Sequence, residues 1–95
     1  MRIPEAYKKD IDQAVASLKK AGSTEIYLFG SIAGDSVGQD SDIDLAVCGI
    51  PADQFFKVYS DTARRLDHDL DLVDLDHETE FAAFLRENDR LVKIS

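Results

Sequence analysis

Three short segments with strand-forming sequences constrain what this chain can fold into. Residues 25–30 are rich in strand formers, residues 42–48 form a second predicted strand that residues 49–51 (Gly-Ile-Pro) close, and residues 69–75 alternate polar with apolar side chains. Helical spacing of apolar residues predicts helices around these strands. The predicted helices are 4–21, 52–66 and 77–88, and Gly22 is expected to terminate the first of them. Residues 91–95 are expected to add a short edge strand. This order predicts an α/β or α+β domain.

The length sets the size of that domain. The chain has 95 residues, which is near the lower end of what folds without disulfides or metals. We therefore expect one domain over residues 1–95, with a mixed sheet of about three strands and helices packed against it. There is no room for a separate substrate-recognition domain, so an enzyme of this size is expected to take part of its site or its acceptor from another chain.

The charge balance narrows the choice of partners. Nineteen Asp and Glu residues stand against eleven Lys and Arg, which gives a formal charge of −8. Such a surface repels phosphate backbones, so bulk nucleic acid is not expected as a ligand, whereas cations and basic proteins are favoured. The single Cys48 allows no disulfide framework and fits a buried strand. With no signal peptide and no apolar run of membrane-spanning length in the sequence, we expect a cytoplasmic protein that does not enter the membrane.

The strongest chemical signal is an Asp-x-Asp pair at the start of the second strand. Asp42 and Asp44 are two positions apart, so their side chains leave the same face of a strand about 6–7 Å apart. Two carboxylates so placed repel each other, and a hard divalent cation such as Mg²⁺ would turn the repulsion into attraction. Ile43 and Leu45 point the other way and belong to the core. The pair therefore predicts a metal site.

A Gly-Ser pair ends the first predicted strand. Gly30 allows a positive φ and a close approach of the backbone to a phosphate. The Ser31 hydroxyl and the amides that follow can donate to phosphate oxygens. A Gly-Ser after a strand is an ordinary turn when it stands alone, but next to Asp42 and Asp44 it predicts a nucleotide site.

A third carboxylate is expected from the strand 69–75. Asp71 lies in its middle, where an unpaired carboxylate is hard to explain structurally, and Asp69 is its rival on the same face. The same acid-rich segment has an EF-hand-like spacing in which Asp67, Asp69, Asp71 and Glu78 fall at ligand positions. Leu72 stands where that loop needs Gly, and the segment alternates like a strand, so calcium binding is the weaker interpretation.

These motifs together resemble a known family. Residues 30–45, GSIAGDSVGQDSDIDL, resemble the signature of the DNA polymerase β-like nucleotidyltransferase superfamily, and the length matches its minimal nucleotidyltransferase (MNT) branch. That pattern is Gly-Ser-x-Ala-Arg-Gly, a short loop, Ser-Asp-x-Asp-Leu, and a later Asp in a hydrophobic strand. The matching residues are Gly30, Ser31, Ala33, Ser41, Asp42, Asp44, Leu45 and, for the later Asp, Asp71.

The resemblance implies a small nucleotidyltransferase fold and a two-metal reaction. Asp42, Asp44 and Asp71 would be the catalytic residues and would hold one or two Mg²⁺ ions, while Gly30 and Ser31 would bind ATP or another nucleoside triphosphate. The nucleotidyl group, expected to be AMP from ATP, would pass to a hydroxyl. In the MNT branch the acceptor is often a helical HEPN toxin, which implies an antitoxin role and leaves open assembly as a homo- or hetero-oligomer.

One departure from the family pattern keeps an alternative open. Gly34-Asp35 stands where the family usually has Arg-Gly, and that Arg is expected to aid triphosphate binding. The alternative is a non-catalytic antitoxin that neutralises its partner by occlusion. A third interpretation, a fragment of a drug-modifying or tRNA-modifying nucleotidyltransferase, is weakened by the missing second domain.

Overall fold

The computed structural model describes residues 5–30, 42–77, 79–88 and 91–95. Its helices are α1 (Glu5–Lys20), α2 (Phe55–Ala63) and α3 (Thr79–Glu87), and a 3₁₀ turn (Ala52–Gln54) precedes α2. Its strands are β1 (Glu25–Phe29), β2 (Ile43–Cys48), β3 (Leu70–Asp74) and β4 (Val92–Lys93). The predicted strands and helices are thus present, with ends that differ by a few residues. None of the described helices is long and apolar enough to cross a membrane.

The strands form one mixed sheet in the order β3-β2-β1-β4. β1 pairs with β2 and with β4 in antiparallel fashion, and β2 pairs with β3 in parallel. The expected α/β architecture is confirmed, with a fourth strand beside the three expected ones. That fourth strand is the short edge strand predicted at the end of the chain, and its neighbour Ile94 donates its amide to the Ile26 carbonyl at 2.9 Å.

The two faces of the sheet carry different residues because side chains alternate along each strand. The face covered by α1 and α2, here called the core face, is apolar over the three long strands except at Asp74, the last residue of β3. Its residues are Ile26, Leu28, Ile43, Leu45, Val47, Leu70 and Leu72. The opposite face, here called the site face, carries Asp44 and Asp71 at one end and a smaller apolar cluster beyond them. In that cluster Ala82 and Leu85 of α3 pack with Ala46 and Val73.

Helix α1 covers the core face with a stripe of apolar residues at helical spacing. Ile11, Ala14 and Leu18 are buried there. The helix ends at Gly22, which has φ +108°. The amides of Gly22 and Ser23 donate to the carbonyls of Lys19 and Leu18, each at 3.0 Å, which is the Schellman pattern of hydrogen bonds. The predicted termination at Gly22 is confirmed.

A buried carboxylate on α1 holds the segment that leads into β3. Asp10 is 2% exposed. It accepts hydrogen bonds from the backbone amide of Asp67 at 3.0 Å, from the amide of His68 at 2.8 Å and from His68 Nδ1 at 2.7 Å. The His68 ring also stacks on Tyr7, with centroids 4.1 Å apart. These contacts leave the His68 side chain 23% exposed.

Replacing Asp10 with Ala is expected to destabilise the fold by about 3 kcal/mol, because buried donors on Asp67 and His68 would lose their acceptor. Burial alone would raise the pKa of Asp10, but these hydrogen bonds outweigh it and hold the pKa below its ordinary value. The contribution is therefore complete above the ordinary carboxyl pKa of about 4 and is lost as the pH falls through the lower folded value. Urea unfolding at pH 7 and pH 3 measures both effects.

The matched control is Asp12→Ala on the exposed side of the same helix. It is expected to change the free energy of unfolding by less than about 0.5 kcal/mol. Equal effects of the two substitutions would contradict the assigned role of Asp10.

Candidate active site

Asp42 and Asp44 lie where β2 begins, on the site face of the sheet. Asp42 directly precedes the strand and is exposed, and Asp44 is its second residue and is half-buried. Between them Ile43 is fully buried on the core face, as is Leu45 beyond them. The burial of these two apolar residues fixes the direction of both carboxylates, as the strand period predicted.

The register of β2 with β3 brings the third carboxylate to the same place. Asp71 is the cross-strand partner of Asp44, and neighbouring strands lie about 4.8 Å apart. The rival Asp69 lies two residues before Asp71, one position ahead of the first pair of β2 with β3, and its carbonyl accepts the Ile43 amide at 2.8 Å. Of these two aspartates it is Asp71 whose charge acts on Asp44. The structure therefore groups Asp71 with Asp42 and Asp44.

The three carboxylates interact unfavourably in the free protein. The pKa of Asp44 is raised to about 6, first by burial and then by the negative charges of Asp71 and Asp42. A cation in this region would relieve that repulsion, since it favours the ionised form of each carboxylate. In the residues that the structure describes, no three acidic, His or Cys side chains are drawn together around one point as metal ligands.

Gly30 lies against the Asp44 side chain. It follows Phe29, the cross-strand partner of Asp44, and has φ +76°. A Cβ atom built on Gly30 would lie 2.9 Å from Asp44 Cγ and would overlap the carboxylate oxygens. Glycine is therefore required here for two reasons, the backbone conformation and the space that Asp44 occupies.

The rest of the predicted phosphate-binding segment lies outside the described residues. This applies to Ser31 and to the loop 32–41, which includes the Gly34-Asp35 departure. Their assignment to nucleotide binding stays a prediction. The EF-hand alternative, in contrast, conflicts with the backbone, because residues 70–74 form a strand paired with β2 and not a calcium-binding loop.

The structure also shows contacts near the site that sequence reasoning missed. Phe29 packs edge-on against Phe81 of α3, with centroids 6.0 Å apart, which covers the site face beside Asp44. Asp74, at the end of β3, is only 5% exposed. It accepts hydrogen bonds from the Asp76 amide at 3.0 Å and from His77 Nδ1 at 2.5 Å. The spacing of Asp74 and His77, three residues apart across a turn, was the one available sequence signal.

A small mixed sheet with helices on both faces, and three carboxylates at one end of two adjacent strands, defines a nucleotidyltransferase type of fold. Residues 16–94 match the family described as Polymerase beta, Nucleotidyltransferase. This match spans most of the chain, and the chain belongs to that family. The resemblance to its MNT branch is likewise confirmed by the solved structures that share the fold.

Several of the similar solved structures are toxin–antitoxin complexes. One complex with AMP-PNP is similar at 25% identity and a TM-score of 0.70 over 86% of this chain and 69% of the other. A mutant of the MntA-HpeT toxin–antitoxin pair is similar at 26% identity and a TM-score of 0.69 over 90% and 71%. A tri-AMPylated HEPN toxin from Shewanella oneidensis in complex with its MNT antitoxin shares the fold at 23% identity and a TM-score of 0.65 over 90% and 69%. No curated protein matches the chain.

Substituting Gly30 with Ala is expected to displace the Asp44 carboxylate and to destabilise the fold by about 2–3 kcal/mol, since the clash adds to the cost of a positive φ. Gly22→Ala is the matched control, because Gly22 also has a positive φ but nothing within 4 Å of an added Cβ. It should cost only about 1 kcal/mol. Thermal unfolding of both variants gives the difference, and equal losses would contradict a clash at Gly30.

Asp44→Asn is expected to stabilise the free protein at pH 7 by about 1 kcal/mol, a value that allows for solvent screening of a half-buried group. The pKa of Asp44 is about 6 in the folded protein and about 4 in an unfolded chain. Between these two pH values the folded state therefore binds more protons than the unfolded state does. The stability of the wild type should therefore fall as the pH rises from about 4 to about 6.

The asparagine variant should lack that part of the pH slope, and its melting temperature at pH 7 should be about 4–8 °C higher than that of the wild type. Asp53→Asn, an exposed change of the same charge in the 3₁₀ turn, controls for the overall reduction of negative charge. A less stable Asp44→Asn protein in magnesium-free buffer would show that the repulsion is not significant.

Proposed function

We propose that this protein is a Mg²⁺-dependent nucleotidyltransferase that moves AMP from ATP to a hydroxyl on a partner protein of the helical HEPN type, and that it acts as an antitoxin. The observation that carries the proposal is the grouping of Asp42, Asp44 and Asp71 beside Gly30 at one end of the sheet. A purely structural role would leave the repulsion among these carboxylates unexplained.

The donor set fits magnesium. Mg²⁺ is bound in proteins by one or two carboxylates together with phosphate oxygens and water. Asp42, Asp44 and Asp71 would hold one or two such ions. Burial and the charges of Asp71 and Asp42 raise the pKa of Asp44, and bound cations would relieve the repulsion among the three carboxylates. When bound, the ions would neutralise the triphosphate and stabilise the charge that develops at the α-phosphorus.

The protein's own residues would position and activate the reactants. Gly30, without a side chain, lets the backbone and the Asp44 carboxylate lie together, and Ser31 and the amides after it are proposed to donate to phosphate oxygens. Asp71, exposed at the edge of the sheet, would accept the proton of the attacking hydroxyl. The new bond joins the acceptor oxygen to the α-phosphorus, the bond to the bridging oxygen breaks, and pyrophosphate leaves.

The choice of nucleotide and partner rests on the comparisons and on charge. The similar toxin–antitoxin complex with AMP-PNP supports an adenine nucleotide. The similarity to MntA-HpeT supports a toxin as the acceptor. A formal charge of −8 suits a partner with a basic surface.

A second candidate function is neutralisation by occlusion without catalysis. Gly34-Asp35 in place of the usual Arg-Gly favours it, because the triphosphate would lose one cationic contact and gain an acidic neighbour. The two functions differ in what Asp44→Asn should do. A catalytic antitoxin should lose both the transfer of AMP and the protection of cells from the partner, whereas an occluding antitoxin should retain protection.

Calorimetric titration of ATP into the wild-type protein is expected to show binding that requires Mg²⁺. The Asp42→Asn/Asp44→Asn double variant should lose at least 10-fold in affinity, because the carboxylates that would hold the ions are gone. Asp53→Asn, with an exposed carboxylate in the 3₁₀ turn, should bind as the wild type does. Equal binding by wild type and double variant would place the nucleotide elsewhere and contradict the proposed site.

A further inference from the structure

A groove lies between α2 and the outer edge of β3, next to the candidate active site. Its volume is about 420 Å³. Phe55, Phe56 and Tyr59 form one wall, and Asp71, Leu72 and Asp74 form the other. Asp71 therefore belongs both to the carboxylate group and to this groove. A molecule bound in the groove would therefore lie beside Asp71, the residue proposed to accept the proton of the attacking hydroxyl.

The β3 side of the groove offers backbone hydrogen-bonding groups. Among the strands that the structure describes, β3 is the last on this side of the sheet. Its pairing with β2 uses the backbone of Asp69 and Leu75, and by alternation that of Asp71 and Val73, so the backbone of Leu72 points outward. The Leu70 carbonyl is occupied by the Tyr59 hydroxyl at 2.7 Å. Within the described part of the chain, the N–H and C=O of Leu72 have no such partner.

The side chains of the groove select for positive charge. Asp71 and Asp74 contribute carboxylates, and none of the described lining residues is Lys or Arg. His77 donates to Asp74 and lies at the same end. Phe56 is 79% exposed and meets Phe55 edge-on, with centroids 5.9 Å apart. Aromatic faces beside carboxylates favour the ammonium or guanidinium groups of Lys and Arg.

We propose that this groove docks an extended, basic segment of the protein that carries the acceptor hydroxyl, and that the segment pairs with the outer edge of β3 as an added strand. The inference rests on the proposed function, because it assigns the acceptor side of that site. The distance from Asp71 to Asp74 along β3 is about 10 Å, which accommodates three or four residues of a strand. Backbone pairing at Leu72 provides affinity, and the aromatic wall and carboxylates select basic side chains.

Binding can be tested without nucleotide or metal, which separates this proposal from the proposed function. The probe is a capped heptapeptide, Lys-Val-Lys-Ser-Lys-Val-Lys, and its control has Glu in place of every Lys. In an amide NMR titration of the wild-type protein, the basic peptide should bind at least 10-fold more tightly than the acidic one. The largest shifts should occur at Phe56, Leu72 and His77. Failure to bind at millimolar concentration, or no preference for the basic peptide, would overturn the proposal.

Two further peptides test strand pairing. In one the amide nitrogens of the Lys residues are methylated, and in the other those of the Val and Ser residues. An added strand directs alternate amides toward β3, so one methylated peptide should lose at least 10-fold in affinity while the other binds as before. Similar affinities for both would show that the backbone of Leu72 is not used.

Phe56→Ser is the informative protein variant, because its exposed ring can be removed without loss of core packing. It should weaken binding of the basic peptide at least 10-fold. Phe84→Ser is the matched control, since Phe84 is a 52% exposed ring on α3 and does not line the groove. Equal losses in the two variants would contradict the assigned surface.

Competition distinguishes other occupants of the groove. Displacement of the peptide by equimolar spermidine would identify a small polyamine as the ligand, and its displacement by Mg²⁺-ATP from the Asp42→Asn/Asp44→Asn double variant, which lacks the proposed metal site, would identify a nucleotide site in the groove itself. Either result would overturn the docking proposal. If the protein binds the peptide but transfers no AMP, the docking proposal stands and the proposed reaction is refuted. If it transfers AMP but does not bind the peptide, the proposed reaction stands and the docking proposal is refuted.

Discussion

The parallel pairing of β2 with β3 is the constraint on which the candidate site depends. It places Asp44 beside Asp71 although twenty-six other residues separate them in the chain. The carboxylates of Asp44 and Asp71 repel each other, but apolar packing on the core face of the same two strands holds them side by side. Ile43, Leu45 and Leu72 are buried on the core face, and a slip of one residue would turn them outward and bury the carboxylates. Apolar packing on one face therefore sets the charge geometry on the other.

The same coupling explains why the free protein holds an unfavourable group of charges. Burial and two neighbouring carboxylates raise the pKa of Asp44, which means that ionised Asp44 lowers the stability of the fold. Catalytic and binding sites commonly retain such local instability because the ligand removes it. Stability contributed elsewhere in the molecule, including the buried Asp10 with its three donor groups, offsets this cost. The unfavourable charges are thus confined to the candidate site, whereas contacts that stabilise the fold lie elsewhere in the molecule.

Much of this architecture was predictable from local sequence patterns. The strand period gave the directions of Asp42 and Asp44, and helical spacing with Gly22 gave α1 and its end. The choice between Asp69 and Asp71 depended on cross-strand register, which is a long-range property that periodicity does not determine. The contact of Asp10 with His68 was not predicted, because a carboxylate on a helix carries no local sign that it will be buried against a distant turn. The burial of Asp74 was missed for the same reason.

The attachment of α1 to the approach of β3 also sets the order in which the molecule can be completed during synthesis. Asp10 leaves the ribosome before its partners at positions 67 and 68, which follow 57 and 58 residues later. Contacts of such separation form slowly, since a long loop must close before they contribute. α1 and the β1–β2 hairpin can associate first, whereas the carboxylate group waits for β3. The carboxylate group is therefore completed only after β3 has left the ribosome, later than the packing of α1 on the β1–β2 hairpin.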